Sequence, residues 1–323
     1  MINVTAAHPE FLTLGFGELT SIKYLYSLLV FLGFALTLLL NSLVVAAVAL
    51  HRSLQEPVYM FICALSINGI YGSVVFYPGI FVTLLYQVQK ISYGSCLAQV
   101  FFIHTYGSFE LATLAGMAID RYICICNPLR YTSLMSHSTV LKIIAVGWVN
   151  SIVAIGTNLV LTYRLPLCDS VILKIYCDNW SVVRLSCVDT TINNIFGNLV
   201  STSVIYVPIL IIVFSYVEIL RVCVRSSKEV ISKALQTCSP QLIISFNFVT
   251  GALFDIFLYR YMPTSVPYQI RLFMSLEFLV ISPILNSFIY GLKMKEMRSR
   301  ILKLLHLETS KVHEKHRRSL WYG

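Results

Sequence analysis

Apolar residues gather into seven long runs, at approximately 24–50, 58–84, 93–124, 139–161, 195–223, 234–259 and 268–291, with short polar segments between them. Each run reaches the roughly 20 residues that a helix needs to cross a bilayer. A backbone in hydrocarbon has no water to bond, so such runs must close their hydrogen bonds internally as helices. The short alternating segments of a membrane barrel are not the pattern here. The pattern predicts an all-α membrane protein, a seven-transmembrane helix bundle over 24–291. An N-terminal segment, 1–23, precedes it, and a tail, 292–323, follows.

The polar positions between the runs set a direction. Seven crossings put the two ends of the chain on opposite sides. Arg52, Arg130, Lys142, Arg221, Arg225, Lys228 and Lys233 fall in or beside loops on one side, joined by Lys293, Lys295, Arg298, Arg300 and Lys303 of the tail. The other side holds fewer basic residues, among them Lys23, Lys90, Arg164, Lys174, Arg184, Arg260 and Arg271. Basic residues favour the cytoplasmic side, which predicts an extracellular N-terminus and a cytoplasmic C-terminus in the plasma membrane. Asn3-Val4-Thr5 is a glycosylation sequon, usable only with the N-terminus outside. The first 22 residues lack the basic start and apolar core of a cleaved signal peptide, so the first run is expected to act as an uncleaved anchor. In the tail, Met294, Met297, Ile301, Leu304 and Leu305 recur at helical spacing among Lys and Arg, which predicts an amphipathic helix on the inner membrane surface.

Composition agrees with this class. Charged residues make up 12% of the chain and hydrophobic ones 57%, against about 25% charged in a soluble domain. The net charge of +9 is spread over the inter-helix segments rather than gathered in one patch, so it points to membrane topology and not to nucleic acid. Cys96, Cys168, Cys177 and Cys187 all fall on the predicted outer side, where an oxidising compartment suggests two disulfides with three possible connectivities. Cys63, Cys124, Cys126, Cys223 and Cys238 lie in spans or on the inner side, where small reduced core residues are the expectation.

The third run carries the densest chemistry. Arg121 lies 25 residues after Cys96, or about 37 Å along a helix, enough to cross a core of about 30 Å. The run therefore begins at an outer cysteine and ends at an inner Asp120-Arg121-Tyr122. In a chain of seven spans this resembles the rhodopsin-like G-protein-coupled receptors. MAIDRYICICNPLRY (117–131), LQEPVYMF (54–61), KALQTCSPQL (233–242), SPILNSFIYG (282–291) and the three-cysteine loop 165–190 resemble the olfactory (odorant) receptors, and ALSINGIYG (64–72) resembles their class I, fish-like branch. The sequence departs from the pattern at Gly69, where an acid is usual, at Ser287, which replaces a proline, and at Gln241, which replaces a histidine.

The resemblance implies a set of roles. It implies Cys96–Cys177 and Cys168–Cys187 bridges. It implies a switch at Asp120, Arg121 and Tyr122, with Tyr216, Asn286 and Tyr290 on later spans, that opens a gap for a heterotrimeric G protein of the stimulatory olfactory type and raises cyclic AMP. It implies that Glu110, in the middle of span three, occupies a sodium-ligand position, helped by Asn41, Ser66, Asn68 or Asn286. The plain alternative is a protonated Glu110 bonded to the same neighbours. A carboxylate in hydrocarbon has to face a partner in either case. Glu277 is a second acid in the spans, without an assigned role.

The ligand cavity is expected in the outer half of the bundle. Its walls would include His104, Thr105, Ser108, Ser201, Ser203, Ala252, Leu253 and Ile256, with Trp180 as a cap. Arg260 ends span six, and its planar fork suits a carboxylate. The His104–Arg260 pair resembles that of class I receptors, which makes a carboxylate-bearing odorant the expected ligand. The plain alternatives are a snorkelling Arg260, or one bridged to Asp255, and a satisfied buried His104. A chemoreceptor for an internal metabolite keeps the same fold. A transporter would show inverted repeats or matched broken helices, and an enzyme would show a metal-ligand cluster, a nucleophile elbow or a phosphate loop. The sequence has none of these motifs, so no enzyme and no required cofactor are expected.

Overall fold

The computed structural model describes residues 8–15, 23–86, 90–224, 227–261, 270 and 277–305. Long helices dominate: α1 (Lys23–Leu50), α2 (Pro57–Tyr86), α3 (Tyr93–Cys126), α4 (His137–Tyr163), α5 (Thr191–Val224), α6 (Lys228–Tyr261) and α7 (Ser282–Lys293). Hydroxyl caps start two of them. Ser92 accepts from the Ser95 N–H at the head of α3, and Ser136 accepts from the Thr139 N–H at the head of α4. Each cap answers one of the amide donors that a helix start leaves open.

Among the described residues, four helices are both long and apolar enough to cross a membrane: Tyr24–Leu50, Pro57–Val82, His137–Tyr163 and Thr191–Val224. This is fewer than the seven expected. α3 and α6 each have 34 residues and span about 51 Å at 1.5 Å per residue, but their apolar character is diluted. α3 carries Glu110, Asp120 and Arg121, all buried inside the bundle. The expected seventh span, 268–291, lies partly outside the described residues.

Burial is inverted relative to a water-soluble bundle. Leu28, Leu32 and Leu39 on α1, Val149 and Val153 on α4, and Leu210, Val213 and Phe214 on α5 all stand exposed. An apolar belt of this extent has a low-energy environment in lipid and not in water. α3 runs through the centre. It packs against α2, α4, α5 and α6, and its buried residues include Val100, Tyr106, Leu111, Leu114 and Met117.

At one end of the bundle a long loop folds over the helices. Two disulfides fix it: Cys96–Cys177 ties it to the head of α3, and Cys168–Cys187 closes it on itself. A small sheet lies beside it, in the order β2-β1-β3, made of β1 (Phe11–Leu14), β2 (Lys90–Ser92) and β3 (Val171–Ile172). β1 pairs antiparallel with β2, Leu12 opposite Ile91, and parallel with β3, Leu14 opposite Ile172. Leu12 and Leu14 point inward and are buried while Phe11 is exposed, the alternation of a strand with one covered face. The sequence pattern did not predict this strand.

Among the described residues, two π-helical turns interrupt the ladder, at Thr202–Tyr206 within α5 and at Glu277–Ile281 before α7. Such a turn adds a residue and re-aims the side chains beyond it. At the opposite end, residues 295–305 form a helix. Its Met297 is fully buried, and Ile301 and Leu304 pack against the bundle.

Candidate functional site

A cavity with both polar and apolar walls lies under the disulfide-bound loop. Its volume is about 160 Å³. α3 contributes Ile103, His104, Gly107, Ser108 and Leu111, and α6 contributes Phe248, Ala252 and Ile256. α4 adds Asn158, and the head of α5 adds Asn193, Asn194, Val200 and Ser201. The loop closes the space with Lys174, Tyr176, Asp178 and Trp180. Mostly apolar walls with a few convergent polar groups are the usual make-up of a small-molecule site.

The loop is positioned by more than its disulfides. The Cys177 N–H donates to Gln99 Oε1 on α3 at 2.8 Å. Thr162 Oγ1 on α4 donates to Asn179 Oδ1 in the short helix Asn179–Val183 at 2.8 Å. His104 Nδ1 donates to the Val100 carbonyl at 2.8 Å, which in the neutral ring makes Nε2 the acceptor. Ser151 donates to the Gly147 carbonyl, so Ser108 Oγ is the donor in the 2.7 Å bond between the two hydroxyls.

His104, Ser108, Trp180, Ser201, Ala252 and Ile256 therefore share one cavity. Thr105, Ser203 and Leu253 are not in its wall. Thr105 faces α2, where its hydroxyl lies 2.7 Å from that of Tyr71. Ser203 sits in the π turn, exposed, and bonds the Val200 carbonyl at 2.9 Å, while Val204 and Ile205 take the wall positions. Leu253 follows Ala252 by one residue, about 100° further round the helix. The α6 helix carries Arg260 four residues beyond Ile256, but the Arg260 and Asp255 side chains lie outside the described ones. Asn3 also lies outside the described residues.

Sequence reasoning missed Lys174, Asp178 and the four asparagines, Asn158, Asn179, Asn193 and Asn194. Lys174 stood in a loop and was expected among the outer basic residues. It is in fact 2% exposed, with Nζ 3.3 Å from the Tyr176 hydroxyl and 3.8 Å from Asp178 Oδ2. The available signal was Asn158, an amide inside an apolar membrane run, since polar residues there tend to be functional.

A second polar cluster lies deeper. Glu110 is fully buried, and both its oxygens accept from amides: Oε2 from Asn68 Nδ2 at 2.6 Å and Oε1 from Asn286 Nδ2. Oδ1 of Asn68 and Oδ1 of Asn286 are buried without a hydrogen-bond partner. Asn41 stands nearby, bonded to the Thr37 and Pro283 carbonyls and to Ser287 Oγ. Ser287 thus supplies a hydroxyl where a proline would have none.

The third cluster is at the far end of α3. The Arg121 guanidinium grips Asp120 Oδ2 through Nε, at 2.9 Å, and Nη2. Tyr131, in the turn after α3, donates to Asp120 Oδ1 at 2.8 Å. Burial, and the Asp120 carboxylate it bonds, push the Tyr131 hydroxyl well above its ordinary pKa. Tyr122 packs against Phe214 on α5. Tyr216 and Tyr290 are buried, Tyr290 donating to Met117 Sδ at 3.7 Å. Gln241 Nε2 donates to the Leu114 carbonyl on α3 at 3.1 Å, which joins α6 to α3 without the histidine usual there. Beyond the catch, Glu296 bonds both Ser53 and Arg300. The Arg300 bond is the main reason its carboxyl is held below the usual range.

The bundle thus has a buried polar cluster at one end and a covered cavity at the other. Comparison with known proteins gives that arrangement a family. The olfactory receptor family model matches residues 29–308. The chain is 34% identical to human olfactory receptor 52D1 over 269 residues, 83% of this chain and 85% of that one. It is 30% identical to human olfactory receptor 52K1 over 305 residues, 94% of this chain and 97% of that one. It is 33% identical to rat olfactory receptor 1500 over 299 residues, 92% of this chain and 95% of that one. The chain belongs to the olfactory receptor family, and is thus an odorant-sensing, G-protein-coupled, multi-pass protein of the plasma membrane rather than an enzyme.

Proposed function

We propose that the chain crosses the membrane seven times with its N-terminus outside, binds a small carboxylate-bearing odorant under the loop, and activates a stimulatory olfactory-type G protein that raises cyclic AMP. The cavity carries this reading. It lies at the end that the basic residues make extracellular, and its wall holds both the buried Lys174 ammonium and His104. Arg260 follows Ile256 by one helical turn, and its fork suits a carboxylate. At the cytoplasmic end, release of Arg121 from Asp120 would open the space between α3 and α6 for the G protein. The ligand has to favour that open arrangement over the closed one, or no signal results.

Cyclic-AMP reporter cells expressing the receptor test this. Arg260→Ala is expected to abolish responses to short carboxylic acids at unchanged surface density. Unchanged potency would remove the carboxylate assignment and leave the receptor intact.

A sodium ion at Glu110 is part of the same proposal. The Glu110 carboxylate and the partnerless Oδ1 atoms of Asn68 and Asn286 are oxygen donors, the kind that hard cations accept, and an ion would require the two amides, which now turn Nδ2 to Glu110, to turn their oxygens inward. A bound ion would stabilise the closed bundle. Responses recorded in sodium and in a large inert cation should differ, and Glu110→Gln should erase the difference; identical responses in wild type would refute the ion site.

A further inference from the structure

The polar wall of the cavity offers more than a simple carboxylate can use. Asn158 on α4 and Asn193 on α5 are each 8% exposed and line the cavity. Asn158 Oδ1, Asn193 Nδ2 and Asn194 Oδ1 are buried with no hydrogen-bond partner. The Asn194 amide has a defined orientation, because its Nδ2 donates to Thr190 Oγ1 at 3.3 Å. Its Oδ1 is therefore an acceptor that lacks a donor. Lys174 and Asp178 face the same space, 3.8 Å apart, within electrostatic reach but too far for a hydrogen bond.

The polarity of these atoms selects the ligand. An ionised carboxylate only accepts hydrogen bonds. It can take the Asn193 donor and face the Lys174 ammonium. It leaves the oxygens of Asn158 and Asn194 dry and unanswered, and it meets the Asp178 carboxylate with like charge. A hydroxyl or an ammonium next to the carboxylate supplies the missing donors, and an ammonium has three of them, enough for both amide oxygens and Asp178 Oδ2.

Resting on the reading of this cavity as the ligand site, we propose that it takes an α-amino acid zwitterion, with the ammonium among Asn158, Asn194 and Asp178 and the carboxylate between Lys174 and Asn193. The rest of the wall is mostly apolar, with Ile103, Leu111, Val200 and Phe248 beside the polar His104, Ser108 and Ser201. It accepts an aliphatic side chain, and the cavity volume of about 160 Å³ restricts it to a small one.

Valine, its α-hydroxy analogue and isovalerate share one carbon skeleton and differ only in the group beside the carboxylate. Equilibrium binding of the three to the purified full-length receptor in lipid nanodiscs tests the proposal. Valine should bind about tenfold tighter than isovalerate, the worth of one charge-assisted hydrogen bond, with the hydroxy acid between them. Asn194→Ala should bring valine and isovalerate together. Asn158→Asp, almost isosteric, should tighten valine and weaken isovalerate, and it carries the test if the unliganded thermal unfolding of Asn194→Ala shows a misfolded protein. Isovalerate binding as tightly as valine, or no valine binding, would overturn the proposal. Valine binding without G-protein activation would instead refute the signalling reading and leave the zwitterion site standing. A receptor that signals to isovalerate and does not bind valine would do the reverse.

Discussion

Two buried polar clusters, Asp120 with its partners at one end of the bundle and the asparagines at the other, treat their polar atoms in opposite ways. At the Asp120 end both carboxylate oxygens are engaged from within, one by Arg121 and one by Tyr131. Under the disulfide-bound loop, Asn158, Asn193 and Asn194 each keep a buried atom with no partner. Native proteins rarely leave such atoms unanswered. The contrast is what the proposed function asks of a catch at one end and a receptacle at the other, the Asp120 carboxylate being answered from within and the asparagines not.

The largest effect on this contrast should come from removing the loop's anchor. Cys96→Ser opens the bridge to Cys177, which closes a separation of 81 residues. Losing a native disulfide costs about 2–5 kcal/mol. The loop wall should then come away from α3, and surface expression of the variant should fall steeply. Normal surface density with unchanged ligand potency would mean that hydrogen bonds such as Cys177 N–H to Gln99 are enough to hold the lid.

A smaller effect is expected at the catch. Tyr131→Phe removes one donor from Asp120 and leaves its Oδ1 buried with nothing to accept from. A hydrogen bond to a charged group contributes about 1.5 kcal/mol, roughly a tenfold shift in the closed-to-open ratio. Ligand-free signalling should rise by about that factor while ligand binding at the far end changes little. Unchanged basal signalling would place the restraint elsewhere, for instance in the Gln241 bond to α3.

Much of this architecture was legible in the sequence, because its cause is local. Apolar runs of fixed length must become helices in lipid, so the helix positions follow from composition along the chain. Asp120, Arg121 and the Met297 face of the terminal helix follow from helical spacing. The cavity was legible only in part. His104, Ser108, Trp180, Ser201 and Ile256 share it, but Ser203, two residues and about 200° beyond Ser201, faces away, as helical spacing alone already indicated. The strand Phe11–Leu14 was hidden for a physical reason. Its partners, Lys90–Ser92 and Val171–Ile172, lie far away along the chain, and four residues hold too little alternation to reveal them. Lys174 was hidden likewise, since its burial depends on where two disulfides draw the loop.

The most direct test of the account fills the receptacle without touching the catch. Ala252 is buried in the cavity wall on α6, and Ala252→Phe should occupy much of the space. Reporter cells with wild-type receptor or Ala252→Phe at equal surface density would be exposed to one panel of amino acids, short carboxylic acids, amines and neutral odorants. The account predicts at least one response in wild type and its loss in Ala252→Phe, with ligand-free signalling preserved. A wild-type agonist that keeps its potency on Ala252→Phe would contradict it.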